Sequence, residues 1–172
     1  MRLFVAVQTP LRIREKIAEE LLPEIPAGKF RKTPEENLHI TLCFIGERGE
    51  DETGLVQSAL EQVKAGKFTA VISGAGSFDG RVIWIGVKEG QKEFEELANK
   101  VQHAIGISDG EFHAHITLCR NRNATSREFG ETVEKLKEIK FTEKFEVNAI
   151  SLMKSTPTQK SPVYEEISHA AL

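Results

Sequence analysis

His39-Ile-Thr-Leu-Cys43 returns unchanged as His115-Ile-Thr-Leu-Cys119, later in the same chain of 172 residues. An identity of five residues at one fixed offset points to an internal duplication, so the fold is read as two similar halves. Both copies are β-branched and apolar with a period of two, the pattern of a strand buried on one side. Side chains alternate between the faces of a strand. His39, Thr41 and Cys43 are therefore expected on one face, with Ile40, Leu42 and Phe44 on the other. The second copy sets His115, Thr117 and Cys119 against Ile116 and Leu118 in the same way. Each strand then offers an imidazole and a hydroxyl about 7 Å apart, backed by an apolar face.

Outward from the repeat, residues 2–8 read as a strand, with Leu3, Val5 and Val7 opposite Phe4 and Ala6. Thr9 reads as an N-cap with Pro10 at the first helical position. Ile13, Ile17, Ala18 and Leu21 form the stripe of the helix that comes next, and Pro23 and Pro26 end it. The first motif lies on a strand at 37–46, followed by a helix through Leu55, Ala59, Leu60 and Val63. Strands at 68–73 and 81–87 are expected to pair around a glycine-rich turn. Phe94, Leu97, Ala98, Val101 and Ile105 mark a third helix, ahead of the second motif strand at 112–119. Thr125-x-x-Glu128 has capping-box spacing and opens a helix through Phe129, Val133 and Leu136. Closing strands are expected at 141–153 and 163–168. This order predicts an α+β domain with largely antiparallel sheets.

Composition limits the function classes. Lys+Arg number 23 against 26 Asp+Glu, with two Cys and a net charge of -3. Two Cys cannot supply a disulfide framework. No apolar run approaches the ~20 residues of a membrane helix, and the N-terminal apolar stretch is too short for a signal peptide. The near-neutral balance argues against coating nucleic acid by net charge alone. A soluble, cytoplasmic domain is expected.

If the two motif strands face each other, they form a cleft with two imidazoles and two hydroxyls. Imidazole titrates near pH 6.5, so one ring serves as base and the other as acid around neutrality. Such a pair suits phosphodiester chemistry without a metal, the hydroxyls stabilising charge on the transition state. A lone histidine on a strand is ordinarily structural, and it is the duplication that raises this pair above that reading. Metal binding is a rival, since His113 and His115 stand two apart, but no carboxylate or Cys falls at a supporting spacing. A module that holds RNA ends without turning them over is another, although binding alone needs donors rather than a matched acid and base.

At these residues the chain resembles the 2H phosphoesterase superfamily, and within it the RNA 2′,3′-cyclic phosphodiesterases, historically called 2′-5′ RNA ligases. RLFVAV, PEENLHITLCFIGE, RVIWIGV, FHAHITLCR and SLMKS…SPVYEEI carry the resemblance over nearly the whole chain. The family commonly has Pro where Ala114 stands and Lys where Cys43 stands. The resemblance implies two lobes related by a pseudo-two-fold axis, each an antiparallel sheet with outer helices, flanking a central cleft. Residues 1–172 would be one such domain, with a motif at 39–42 in one lobe and at 115–118 in the other. It implies His39 as proton donor, His115 as proton acceptor, and Thr41 and Thr117 as phosphate-binding hydroxyls. The implied reaction is hydrolysis of a terminal 2′,3′-cyclic phosphate to a 2′-phosphomonoester, with no cofactor and no metal. A 2′-5′ ligation by the reverse chemistry, or a cyclic phosphate on another nucleotide, would use the same residues. The implied partner is RNA or a nucleotide, with no obligate protein partner and a monomeric state. The residues alone leave open which histidine is acid and which is base.

Arg120 stands where the family usually carries Arg and is a candidate phosphate contact, with Arg122 and Arg127 close behind and Arg81 weaker. Lys29-Phe-Arg31-Lys32 and the loop from Lys154 to Lys160 are candidates for an electrostatic funnel, with Phe30 available for stacking on a base. Short charge runs are more often solvated loops. Tyr164 and Trp84 either meet a base or pack, and Trp84 is expected in the core. Cys43 and Cys119 are expected as small buried hydrophobes rather than a disulfide.

Overall fold

In the computed structural model, which describes residues 1–172, β1 (Arg2–Gln8) is buried on both faces. Leu3, Val5 and Val7 enter the main core, whereas Phe4 and Ala6 join Met153 in a small second cluster. That double burial makes β1 a central strand. It lies between β3 (His39–Glu47) and β8 (Ala149–Thr156), antiparallel to both. The sheet runs on through β9 (Val163–Ala171) on one side. On the other side come β6 (His115–Asn121), β5 (Val82–Glu89), β4 (Phe68–Phe78) and β7 (Thr142–Val147), with every pairing antiparallel.

The order β7-β4-β5-β6-β3-β1-β8-β9 divides into two sets of four strands, each ending inward on a motif strand. Their junction is narrow, because β3 and β6 share a single register pair, Ile40 with Ile116. Beyond that pair the strands splay, and the three-residue β2 (Phe30–Lys32) fills the opening by pairing with Cys119, Arg120 and Asn121 of β6.

Helices α1 (Leu11–Glu20), α2 (Glu50–Glu61), α3 (Gln91–Ile105) and α4 (Ser126–Glu138) cover the sheet. Their inward positions reflect helical spacing: Ile13 and Ile17 on α1, Phe94, Leu97, Ala98 and Val101 on α3, and Phe129, Val133 and Leu136 on α4 are all buried. Two helices cross between the halves. α1 comes after β1, yet its Arg12 bonds Glu143 at 2.9 Å and its Lys16 pairs with the same carboxylate, which stands on β7 of the opposite half. α3 comes after β5, yet lies against β3 and α2.

The α+β class and antiparallel sheet agree with the expectation from sequence, and several local readings are corrected. Pro10 is itself the N-cap of α1, and Thr9 makes no side-chain cap. Leu55 faces solvent at 72% exposure, because α2 turns Thr53 and Leu60 inward. The glycine-rich stretch is strand rather than turn. β4 runs through it to Phe78, and the reversal is confined to Asp79, Gly80 and Arg81, the first two at positive φ. Gly76 is required there because an added Cβ would meet the Trp84 ring at 2.2 Å. Residues 141–153 form two strands rather than one, β7 and the start of β8. The Thr125–Glu128 capping box forms as its spacing predicts.

Candidate active site

Alternation holds for the first part of each motif and then breaks at the same point in both. His39 and Thr41 face outward while Ile40 and Leu42 are buried, but Cys43 is buried as well. The cause is a β-bulge: Val5 pairs with Cys43 and Ala6 with Thr41, so Leu42 is the extra residue. In the second copy Ile83 pairs with Cys119 and Trp84 with Thr117, leaving Leu118 extra. Each bulge reverses the facing of the two residues that follow it, Cys43 and Phe44 in β3 and Cys119 and Arg120 in β6. Both cysteines therefore turn into the core, as free thiols that burial pushes up to about 12. The placement of Cys43 and Cys119 on the histidine face is thus corrected, as is that of Phe44 on the buried face. Phe44 is 60% exposed and lines the cleft, and Arg120 does so at the equivalent position of the second copy.

The cleft measures about 330 Å³ and lies where the two motif strands diverge. His39, His115, Thr41 and Thr117 all line it, so the structure brings the four together. Each imidazole is held by the main chain two residues before it. His39 Nδ1 bonds the Asn37 carbonyl at 2.6 Å, and His115 Nδ1 bonds the His113 carbonyl at 2.6 Å. A carbonyl can only accept, so Nδ1 carries the proton in both rings and Nε2 is left to exchange one. The copies differ at Nε2. That of His39 lies 2.9 Å from Thr41 Oγ1, whereas His115 makes no corresponding bond to Thr117.

Aromatic rings support both imidazoles. Phe4 and Tyr164 stand 5.1 and 5.4 Å from the His39 ring, the tyrosine edge-on. Phe78 meets His115 edge-on at 5.0 Å, and Trp84 lies 4.9 Å from His113. Such surroundings disfavour charge on the rings. Burial lowers the His39 pKa to about 4 against the opposing pull of the Asn37 carbonyl, and the His115 charge depresses it further. Burial also lowers His115, with the charges of His113 and Arg120 acting in the same direction. Burial raises Tyr164, while Arg120 and Arg31 oppose the rise.

Arg2, Arg31, Lys32 and Arg120 line the cleft, and no carboxylate does. Arg31 and Lys32 are the funnel candidates of the sequence, whereas nothing in the sequence singles out Arg2. The other basic candidates lie elsewhere. Arg81 and Arg122 do not line the cleft, Arg127 pairs with Glu131 at 2.8 Å, Lys29 with Glu128 at 3.2 Å and Lys154 with Glu165 at 3.2 Å. Phe30 is buried against Phe129, so no base can stack on it. Trp84 is not core: it is half-buried against Gly76, Phe78 and His113. No three His, Cys, Asp or Glu side chains converge as a metal-ligating group, and no helix is long and apolar enough to cross a membrane.

Residues 9–159 match the 2′-5′ RNA ligase superfamily. A protein of Archaeoglobus fulgidus named RNA 2′,3′-cyclic phosphodiesterase is 38% identical over 176 residues, covering 97% of this chain and 98% of that one. A protein of the same name from Aquifex aeolicus is 32% identical over 177 residues, covering 95% and 93%. The crystal structure of TT0787 of Thermus thermophilus superposes with a TM-score of 0.82 at 26% identity, over 100% of this chain and 98% of that one.

Proposed function

Because the chain belongs to the 2′-5′ RNA ligase superfamily, we propose that it hydrolyses terminal 2′,3′-cyclic phosphates of RNA or nucleotides to 2′-phosphomonoesters, using its two histidines as acid and base without a metal. The observation that carries this reading is the matched pair of imidazoles, each fixed through Nδ1 and opening onto one cationic cleft. The relatives named RNA 2′,3′-cyclic phosphodiesterase support the substrate.

In the proposed reaction His115 Nε2 takes a proton from water as the oxygen attacks phosphorus. The bond from phosphorus to O3′ breaks, and His39 Nε2–H delivers its proton to that oxygen. Proton exchange with solvent then resets both rings. Two features favour this assignment. The His115 Nε2 lone pair has no side-chain partner, as a base requires. His39 is the more buried ring, and the negative charge of a bound phosphodiester opposes that burial, raising its pKa so that it can be loaded as the acid. Thr41 and Thr117 donate to the non-bridging oxygens, where their bonds strengthen as charge develops. Arg120 supplies a fixed cation beside them.

The test is single-turnover hydrolysis of a labelled oligonucleotide ending in a 2′,3′-cyclic phosphate, run in EDTA, with the product phosphate located at O2′ or O3′. A 2′-phosphate formed in EDTA supports the reading. Binding without hydrolysis from pH 5 to 9, or loss of activity to chelator with rescue by Zn²⁺ or Mn²⁺, overturns it.

A further inference from the structure

Arg31 on β2 is the direct cross-strand partner of Arg120 on β6. Like charges placed opposite one another destabilise a sheet. Neither guanidinium has a carboxylate within salt-bridge distance, nor has the neighbouring Lys32, although 13 pairs elsewhere join a Lys, an Arg or the N-terminus to an acid. Both guanidiniums line the same cleft as Tyr164, whose ring lies 5.4 Å from that of His39. The basic pair is also one-sided. β2 has no counterpart on β3, where the equivalent position is Phe44 and the nearby polar contact is the Asp109 carboxylate accepting from the Phe44 N–H at 2.7 Å.

A cyclic phosphate carries one negative charge. Arg120, beside the motif, is enough to meet it, which leaves Arg31 and Lys32 unmatched in a cleft without acids. We propose that Arg31 and Lys32 form a second anion subsite for the phosphate on O5′ of the terminal nucleoside, the internucleotide phosphate of an RNA end. This rests on the function proposed above and narrows its substrate class from any cyclic nucleotide to the end of an oligonucleotide. β2 is then a recognition strand, set into the opening between β3 and β6 with Phe30 anchored in the core and its two cations beside the terminal phosphate.

Three substrates test it: a 2′,3′-cyclic mononucleotide, the same compound with a 5′-phosphate, and a dinucleotide ending in the cyclic phosphate. For the wild type, kcat/KM is expected to be at least about tenfold higher for the second and third than for the first, the scale of one charge-assisted hydrogen bond. The double variant Arg31→Ala, Lys32→Ala should lose that ratio, and the dependence of log KM on log salt for the dinucleotide should flatten by about 0.7 per lost phosphate contact. Preference for the dinucleotide alone would assign the gain to the second nucleoside and overturn the subsite. An unchanged ratio in the double variant overturns it as well. If the wild type hydrolyses none of the three, the proposed function fails instead.

Discussion

Ile40 and Ile116 form the one register pair between β3 and β6, and each comes directly after the histidine of its motif. Both are fully buried, so the joint of the two half-sheets is also the floor between the two catalytic candidates. The separation of His39 and His115 is therefore set by the packing of two side chains rather than by a flexible connection. Ile116→Ala is expected to lower stability by about 2–5 kcal/mol, the usual cost of an emptied core site. Denaturant titration checks this, and a loss under about 1 kcal/mol would show that the joint relaxes freely.

His39→Ala and His115→Ala should each lower kcat by at least ~10²-fold, the scale for a positioned acid or base. Thr41→Ala and Thr117→Ala should cost about 10²-fold as lost transition-state donors. Steady-state kinetics on a cyclic-phosphate oligonucleotide reads all four. Near-normal turnover in either histidine variant would remove that ring from the mechanism.

The pH profile has a defined sign. Turnover in the proposed reaction needs one ring protonated and the other neutral, and both pKa values are lowered by burial. The singly protonated pair is then most populated below pH about 6.5, so kcat/KM should be bell-shaped with its maximum on the acid side of neutrality. The limbs of kcat should sit higher, because bound phosphate favours the imidazolium. A kcat/KM maximum at pH 8 or above would contradict this.

Stability should depend on the same groups. The unfolded chain binds a proton on His39 near pH 6.5, whereas the folded chain does so only near pH 4. Stability is thus full above about 6.5 and falls as the pH drops through that window. Between pH 7 and 5 most carboxylates stay ionised, so comparing wild type with His39→Gln isolates the ring. The variant should lose less stability over that interval in urea titrations, and an identical loss would mean that His39 protonates freely in the fold.

Trp84 is the sole tryptophan and lies across Gly76 beside His113, just before the start of β6. Gly76→Ala would push a methyl into the indole, with an expected cost of about 1–3 kcal/mol. The same displacement should shift the emission of Trp84 and lower kcat by disturbing the strand that holds the His115 ring. Unchanged emission would show that the indole does not rest on Gly76.

The duplication, the antiparallel α+β class and three helix stripes are legible in the sequence because each depends on a short-range period. The residues that alternation misplaces share one cause, the extra residue at Leu42 and at Leu118. A bulge has no signature in the side chains of its own strand, since it is defined by the register of a partner remote in sequence. Phe44 and Arg120 can be placed in the cleft only by counting that residue. Arg31 and Lys32 are visible as charges but not as strand, because three residues between Gly28 and Pro34 carry no period. Trp84 is misplaced for a related reason: its half-buried seat is created by two glycines whose place in β4 and β5 emerges only once those strands are paired.

The crossing of α1 and α3 bears on how such a chain can be divided. With α1 tied to β7 by Arg12 and Lys16, and α3 resting on β3, each half wears a helix grown from the other, as protomers do in a swapped dimer. A cut between α2 and β4 would part each of these helices from the strand it covers, and would part β8 and β9 from β1. Neither fragment would then hold a closed core of its own, yet mixed together they carry every complementary surface. The two motifs are in that sense halves of a fused pair, and a split chain should regain its cleft by complementation, never by one fragment folding alone.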